Sequence, residues 1–244
     1  STGNAEIAQD TTVAPTTSTT PFSYSAYNPT YSSTNSSSCQ YYDTATGVHV
    51  KFAMKADFAA GPVYYKGMRG IGFTLNSGAN TYTQGTELQT TTWDGYGQYA
   101  GWHQGAVYDT TGEVGLLYAE AETTQYLGVV AVAASGTGTG NTLTMGTRNQ
   151  FTSTATYSPF AIYVPDLGYS IIAYGNASGL CVRTITPAGS GSTTSPTVGV
   201  EVVLDATSIA TTSDLSMAYD DTNNIITMVW KASSEVWYLC GSVA

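Results

Sequence analysis

Short apolar runs alternate with turn residues along the chain, and one pattern recurs four times. The clearest copies are Val107–Tyr118 and Ala218–Trp230; Tyr41–Phe52 is a third and Tyr163–Tyr174 a looser fourth. Each sets an aromatic residue at or near an Asp, follows it with a Gly or Asn turn, and continues into an apolar run that ends on an aromatic. That pattern predicts a strand, a tight turn and a returning strand. A polar loop then leads to a third apolar run: Gly70–Leu75, Leu127–Val132, Leu180–Ile185 or Val236–Cys240. A small-residue loop and a fourth strand follow, as in Thr142–Gly146 and Val200–Leu204. Four antiparallel strands per repeat is the unit of a propeller blade.

The repeats read as circular. Ser1–Val13 resembles Ser77–Leu88, with matching Ser, Asn and Gln positions and one residue inserted, whereas the copy around Asp220 reaches Ala244 without a fourth strand. The expectation is that residues 1–13 pair with the strand around Trp237–Cys240 and complete the last blade, which would also remove open sheet edges. Asp43, Asp109, Asp166 and Asp220 lie 66, 57 and 54 residues apart, and 67 residues close the circle through the termini. The predicted fold is all-β, one domain over residues 1–244: a four-bladed β-propeller with repeats centred near 43, 109, 166 and 220. The alternative is the same repeats left open and strand-exchanged in a filament.

Composition narrows the partners. Only 10% of residues are charged and the formal net charge is −10, so no basic stripe is present to neutralise phosphates or an anionic membrane. Neither nucleic acid nor membrane insertion is expected, since no apolar run approaches the ~20 residues of a span. The chain starts at Ser1 with no visible signal peptide, which reads as processing, trimming or a fragment. Cys39, Cys181 and Cys240 show no CxxC spacing, and the expectation is inert buried thiols rather than zinc ligands.

The repeat resembles a propeller-type repeat of tail-fibre and other structural proteins of phages and large viruses. Tyr108-Asp109, Leu116-Leu117-Tyr118, Gly128-Val129-Val130 and Ser135-Gly136-Thr137 carry the resemblance. The first repeat has Asn76-Ser77-Gly78 in place of Ser-Gly-Thr, and the third Pro187-Ala188-Gly189. The resemblance implies a virion-surface or extracellular location.

Candidate chemistry is sparse. The four repeat Asp residues read as turn caps, accepting from backbone N–H groups, in preference to a metal ring. His49 and His103 lie on different repeats. Neither a metal nor an organic cofactor is expected. The stretch Trp93–His103 is rich in aromatics and Gly, and Trp93, Asp94, Tyr96, Tyr99 and Trp102 are the candidate ligand or subunit contacts, because aromatic faces beside polar groups stack on sugars and on protein. Phe22–Tyr31 is a second aromatic stretch that fits an amphipathic strand. Asn35 and Asn176 stand in N-glycosylation acceptor triplets.

These readings predict a non-enzymatic structural or host-recognition module that works in several copies, bound to itself or to other subunits. The alternative is a lectin-like propeller that binds cell-surface glycans. A glycan-cleaving enzyme is third, resting on fold analogy, since no pair of catalytic carboxylates is recognisable.

Overall fold

The computed structural model describes residues 38–57, 64–76, 81–89, 100–121, 124–206, 214–232 and 235–242. The segments 1–13 and Phe22–Tyr31 lie outside these residues, as does the pairing expected for 1–13.

The described chain forms four antiparallel sheets arranged as a four-bladed β-propeller. Blade 1 holds β1 (Ser38–Asp43), β2 (Val48–Asp57), β3 (Tyr64–Asn76), β4 (Thr81–Gln84) and β5 (Leu88–Gln89). Blade 2 holds β6 (Ala100–Asp109), β7 (Val114–Ala121), β8 (Leu127–Ser135), β9 (Thr142–Met145) and β10 (Asn149–Gln150). Blade 3 holds β11 (Tyr157–Val164), β12 (Tyr169–Asn176), β13 (Gly179–Thr186), β14 (Thr197–Val198) and β15 (Val202–Asp205). Blade 4 holds β16 (Leu215–Asp220), β17 (Ile225–Ala232) and β18 (Glu235–Ser242). In blades 1 to 3 the outer strand is split, and both pieces pair with the same third strand.

The first turn of every blade is closed alike. The residue just before the returning strand is left-handed in all four: Gly47 (φ 72°), Glu113 (φ 48°), Gly168 (φ 66°) and Asn224 (φ 55°). Gly and Asn adopt this conformation at little cost; Glu113 carries the Cβ penalty. The Gly112 that precedes it is needed for space instead, since a Cβ there would come within 2.5 Å of Pro187 from blade 3.

Blades pack face to face, as period-2 alternation requires. Val48, Val50 and Phe52 of blade 1 pack against Leu117, Val130 and Val132 of blade 2. Leu116 and Tyr118 meet Ile172, Tyr174 and Ile185 of blade 3. Ala173 and Leu180 meet Ile226, Met228 and Trp230 of blade 4. β17 shows the alternation plainly: Ile226, Met228 and Trp230 are buried and Val229 is exposed.

Two details differ from the sequence reading. In the third repeat the position equivalent to Asp43 is Val164, because Val164↔Tyr169 matches Asp43↔Val48 in register. Asp166 lies two residues further on, in a 3-10 turn over Pro165–Leu167. The thiols also differ: Cys39 and Cys181 are buried and free, but Cys240 is exposed on β18.

Candidate functional site

The repeated carboxylates sit where the turns bring neighbouring blades together. Asp43 is buried, and its Oδ1 accepts the N–H groups of Ala45 at 3.0 Å and Thr46 at 3.1 Å. The same oxygen accepts the Tyr108 hydroxyl of blade 2 at 2.8 Å. Burial and then the bond to Asp43 push the Tyr108 phenol up to about 12. Asp109 Oδ1 caps its turn through the Gly112 N–H at 2.8 Å, while Oδ2 is buried without a hydrogen-bond partner. Desolvation therefore raises the Asp109 carboxyl above its ordinary value.

The tyrosine matching Tyr108 repeats this link at the next seams with a changed acceptor. Tyr163 shares a hydrogen bond with Thr111 of blade 2 at 2.6 Å. Tyr219 donates to Asp166 of blade 3 at 2.7 Å. Asp220 caps its own turn through the N–H groups of Thr222 at 3.0 Å and Asn223 at 3.2 Å, and the Asn223 side-chain amide holds its carboxyl below the usual value. Turn capping thus holds for Asp43, Asp109 and Asp220; Asp166 serves as an acceptor for the next blade.

A second polar cluster lies on blade 3, beside the seam with blade 2. Tyr174 donates to Glu201 Oε2 at 2.5 Å and accepts from Arg183 Nε at 2.8 Å. Arg183 also donates to the Gly199 carbonyl at 2.9 Å and lies 5.7 Å from the Phe151 ring centroid. Burial raises the Tyr174 phenol, reinforced by Glu201. Asn176, the glycosylation candidate, is buried in this cluster: its Nδ2 faces Glu201 at 3.5 Å and its Oδ1 accepts the Ser178 N–H at 2.7 Å. The sequence reading missed this network. Its available signal was Arg183 inside the apolar run Leu180–Ile185, since a cation there demands an anionic or carbonyl partner.

An exposed aromatic patch occupies the face of blade 1 turned away from blade 2. The rings of Tyr42 and His49 lie 4.5 Å apart, and Tyr82 stands edge-on to His49 at 6.4 Å. Tyr42 and Tyr82 are 47% and 55% exposed.

Of the contacts expected from sequence, Trp93, Asp94, Tyr96 and Tyr99 lie outside the described residues, as does Asn35, while Trp102 falls on β6. Among the described residues no three His, Cys, Asp or Glu side chains gather to hold a metal ion. No helix among them is long and apolar enough to cross a membrane. Comparison with protein-family models, with curated proteins and with solved structures finds no match to this chain.

Proposed function

We propose that this protein is a non-enzymatic structural or recognition module of an extracellular assembly, such as a virion appendage, present there in several copies. One observation carries the reading. The repeat carboxylates are engaged in holding turns and joining blades: Asp43 with Tyr108, and Asp166 with Tyr219. A carboxylate bonded in this way gives geometry to the scaffold and has little freedom to meet a substrate. The low surface charge suits repeated contact between copies, because few ions must be desolvated.

Carbohydrate binding is the second reading, favoured by the exposed Tyr42, His49 and Tyr82 rings. A glycan array and a polysaccharide turnover assay on the whole chain separate the readings. The module reading expects no turnover. Turnover that a single Asp→Asn substitution abolishes would overturn it, and array binding lost in Tyr82→Ala would favour the lectin.

A further inference from the structure

Blade 1 differs from the other blades on the face turned away from its core with blade 2. The pairs Asp43↔Val48, Asp109↔Val114, Val164↔Tyr169 and Asp220↔Ile225 align the four second strands. In that alignment Lys51 of β2 takes the position of Leu117 in β7, Ile172 in β12 and Met228 in β17. Those three side chains are buried in the cores between blades. Lys51 is only half-buried, and His49, two residues before it on the same face, is exposed.

Period-2 alternation and cross-strand pairing set what shares this face. Tyr42, His49, Phe73 and Gln84 form one row across β1 to β4, and Gln40, Lys51 and Ile71 form the next. Tyr82 stands against His49 from β4. Neither row holds an Asp or a Glu. Among the described residues neither Gln40 nor Lys51 makes a hydrogen bond or an ion pair. The chain has 17 Asp plus Glu against seven Lys plus Arg, enough carboxylates to pair every cation, yet Lys51 stands without one.

We propose, building on the carbohydrate reading above, that this face binds an acidic glycan, with a sugar ring against Tyr42 and Tyr82 and the Lys51 ammonium on its carboxylate or sulfate. Exposed aromatic rings with polar edges suit the apolar face of a pyranose. The Gln40 and Gln84 amides each offer a donor and an acceptor to its hydroxyls. The cation decides the charge of the ligand, because an unpaired ammonium on an aromatic face gains a charge-assisted bond from an anion and nothing comparable from a neutral sugar. His49 and Lys51 lie roughly 7 Å apart along β2, a span that the flexible lysine stem closes, so one sugar residue can reach both the rings and the cation.

The test is a glycan array on which each uronate-bearing or sulfated saccharide is paired with its methyl-esterified or desulfated form. The whole chain is compared with Lys51→Met and Tyr82→Ala. Met228 occupies the matching position in blade 4, so Lys51→Met should fold; if its melting temperature falls, Lys51→Gln supplies the same readout. The expected result is binding to an acidic form at least about tenfold tighter than to its neutral counterpart, weakening as salt is raised. Lys51→Met should bring the two forms level, and Tyr82→Ala should weaken both. Equal binding of acidic and neutral forms by the unaltered chain would overturn the acidic ligand and leave the carbohydrate reading standing. Absence of binding to any saccharide would overturn both. A preference for acidic forms that survives in a folded Lys51→Met protein would overturn the proposal by placing the site elsewhere.

Discussion

The Tyr108 hydroxyl of blade 2 donates to Asp43 Oδ1 of blade 1 at 2.8 Å, joining two blades through a carboxylate that already caps its own turn. Tyr108→Phe removes the donor and leaves a buried acceptor one partner short. The expected loss is about 1–3 kcal/mol of stability, read by urea unfolding. Tyr219→Phe, whose acceptor Asp166 is exposed, should cost less. Equal losses would mean that the seams are held by packing alone.

Several phenols are raised together, and the alkaline limb of stability should report them. Tyr108 and Tyr219 are pushed up to about 12, and Tyr41, Tyr118 and Tyr174 are also raised, each chiefly by burial. A group whose folded value lies above its unfolded one gives stability that is complete below the unfolded value of 10.0 and lost as pH rises through the folded one. Unfolding should therefore ease steeply between about pH 10 and 12, with ionisation of these five phenols, read from the loss of each Tyr→Phe variant's share of the tyrosinate absorbance, appearing in step with loss of strand signal. Ionisation of these five phenols at pH 10 with the fold intact would contradict the buried placement of their side chains.

Gly146, which joins the two pieces of the outer strand of blade 2, and Gly140, in the loop before that strand, give a sharp contrast. A Cβ on Gly146 would lie 1.6 Å from the Thr193 carbonyl, whereas one on Gly140 meets nothing within 4 Å. Gly146→Ala should cost about 2–4 kcal/mol, because backbone must move, and Gly140→Ala should stay within about 0.5 kcal/mol. Thermal melts of the two variants decide it.

Tyr174 bridges Arg183 and Glu201, so Tyr174→Phe removes both the donor to Glu201 and the acceptor for Arg183 Nε. A loss of about 1–2 kcal/mol is expected. It should shrink when Arg183→Met and Glu201→Gln are already present, as a double-mutant cycle on a shared network requires.

The architecture was legible because it is written locally. Tyr42-Asp43 with Gly47, Tyr108-Asp109 with Gly112 and Tyr219-Asp220 with Asn224 mark turns by residue type, and the apolar runs mark the third strands. The third repeat misled by two residues: Asp166 looked like the turn carboxylate, but Pro165 starts a 3-10 turn and leaves Val164 in the repeat position. The left-handed residue of the second turn is Glu113, not the Gly112 beside it. The split outer strands were hidden because their hinge depends on a neighbouring blade, as Gly146 on Thr193 does, and no local pattern records that contact. Glu201 was likewise unmarked, since it meets Arg183 only across the folded blade.

The functional account turns on where the polypeptide resides. The most direct measurement is quantitative mass spectrometry of the native source, separated into particulate assemblies and soluble material. The account predicts that the chain travels with an extracellular or virion assembly in a fixed number of copies per particle. Recovery of the chain only as a soluble monomer, in a fraction that cleaves polysaccharide, would contradict it.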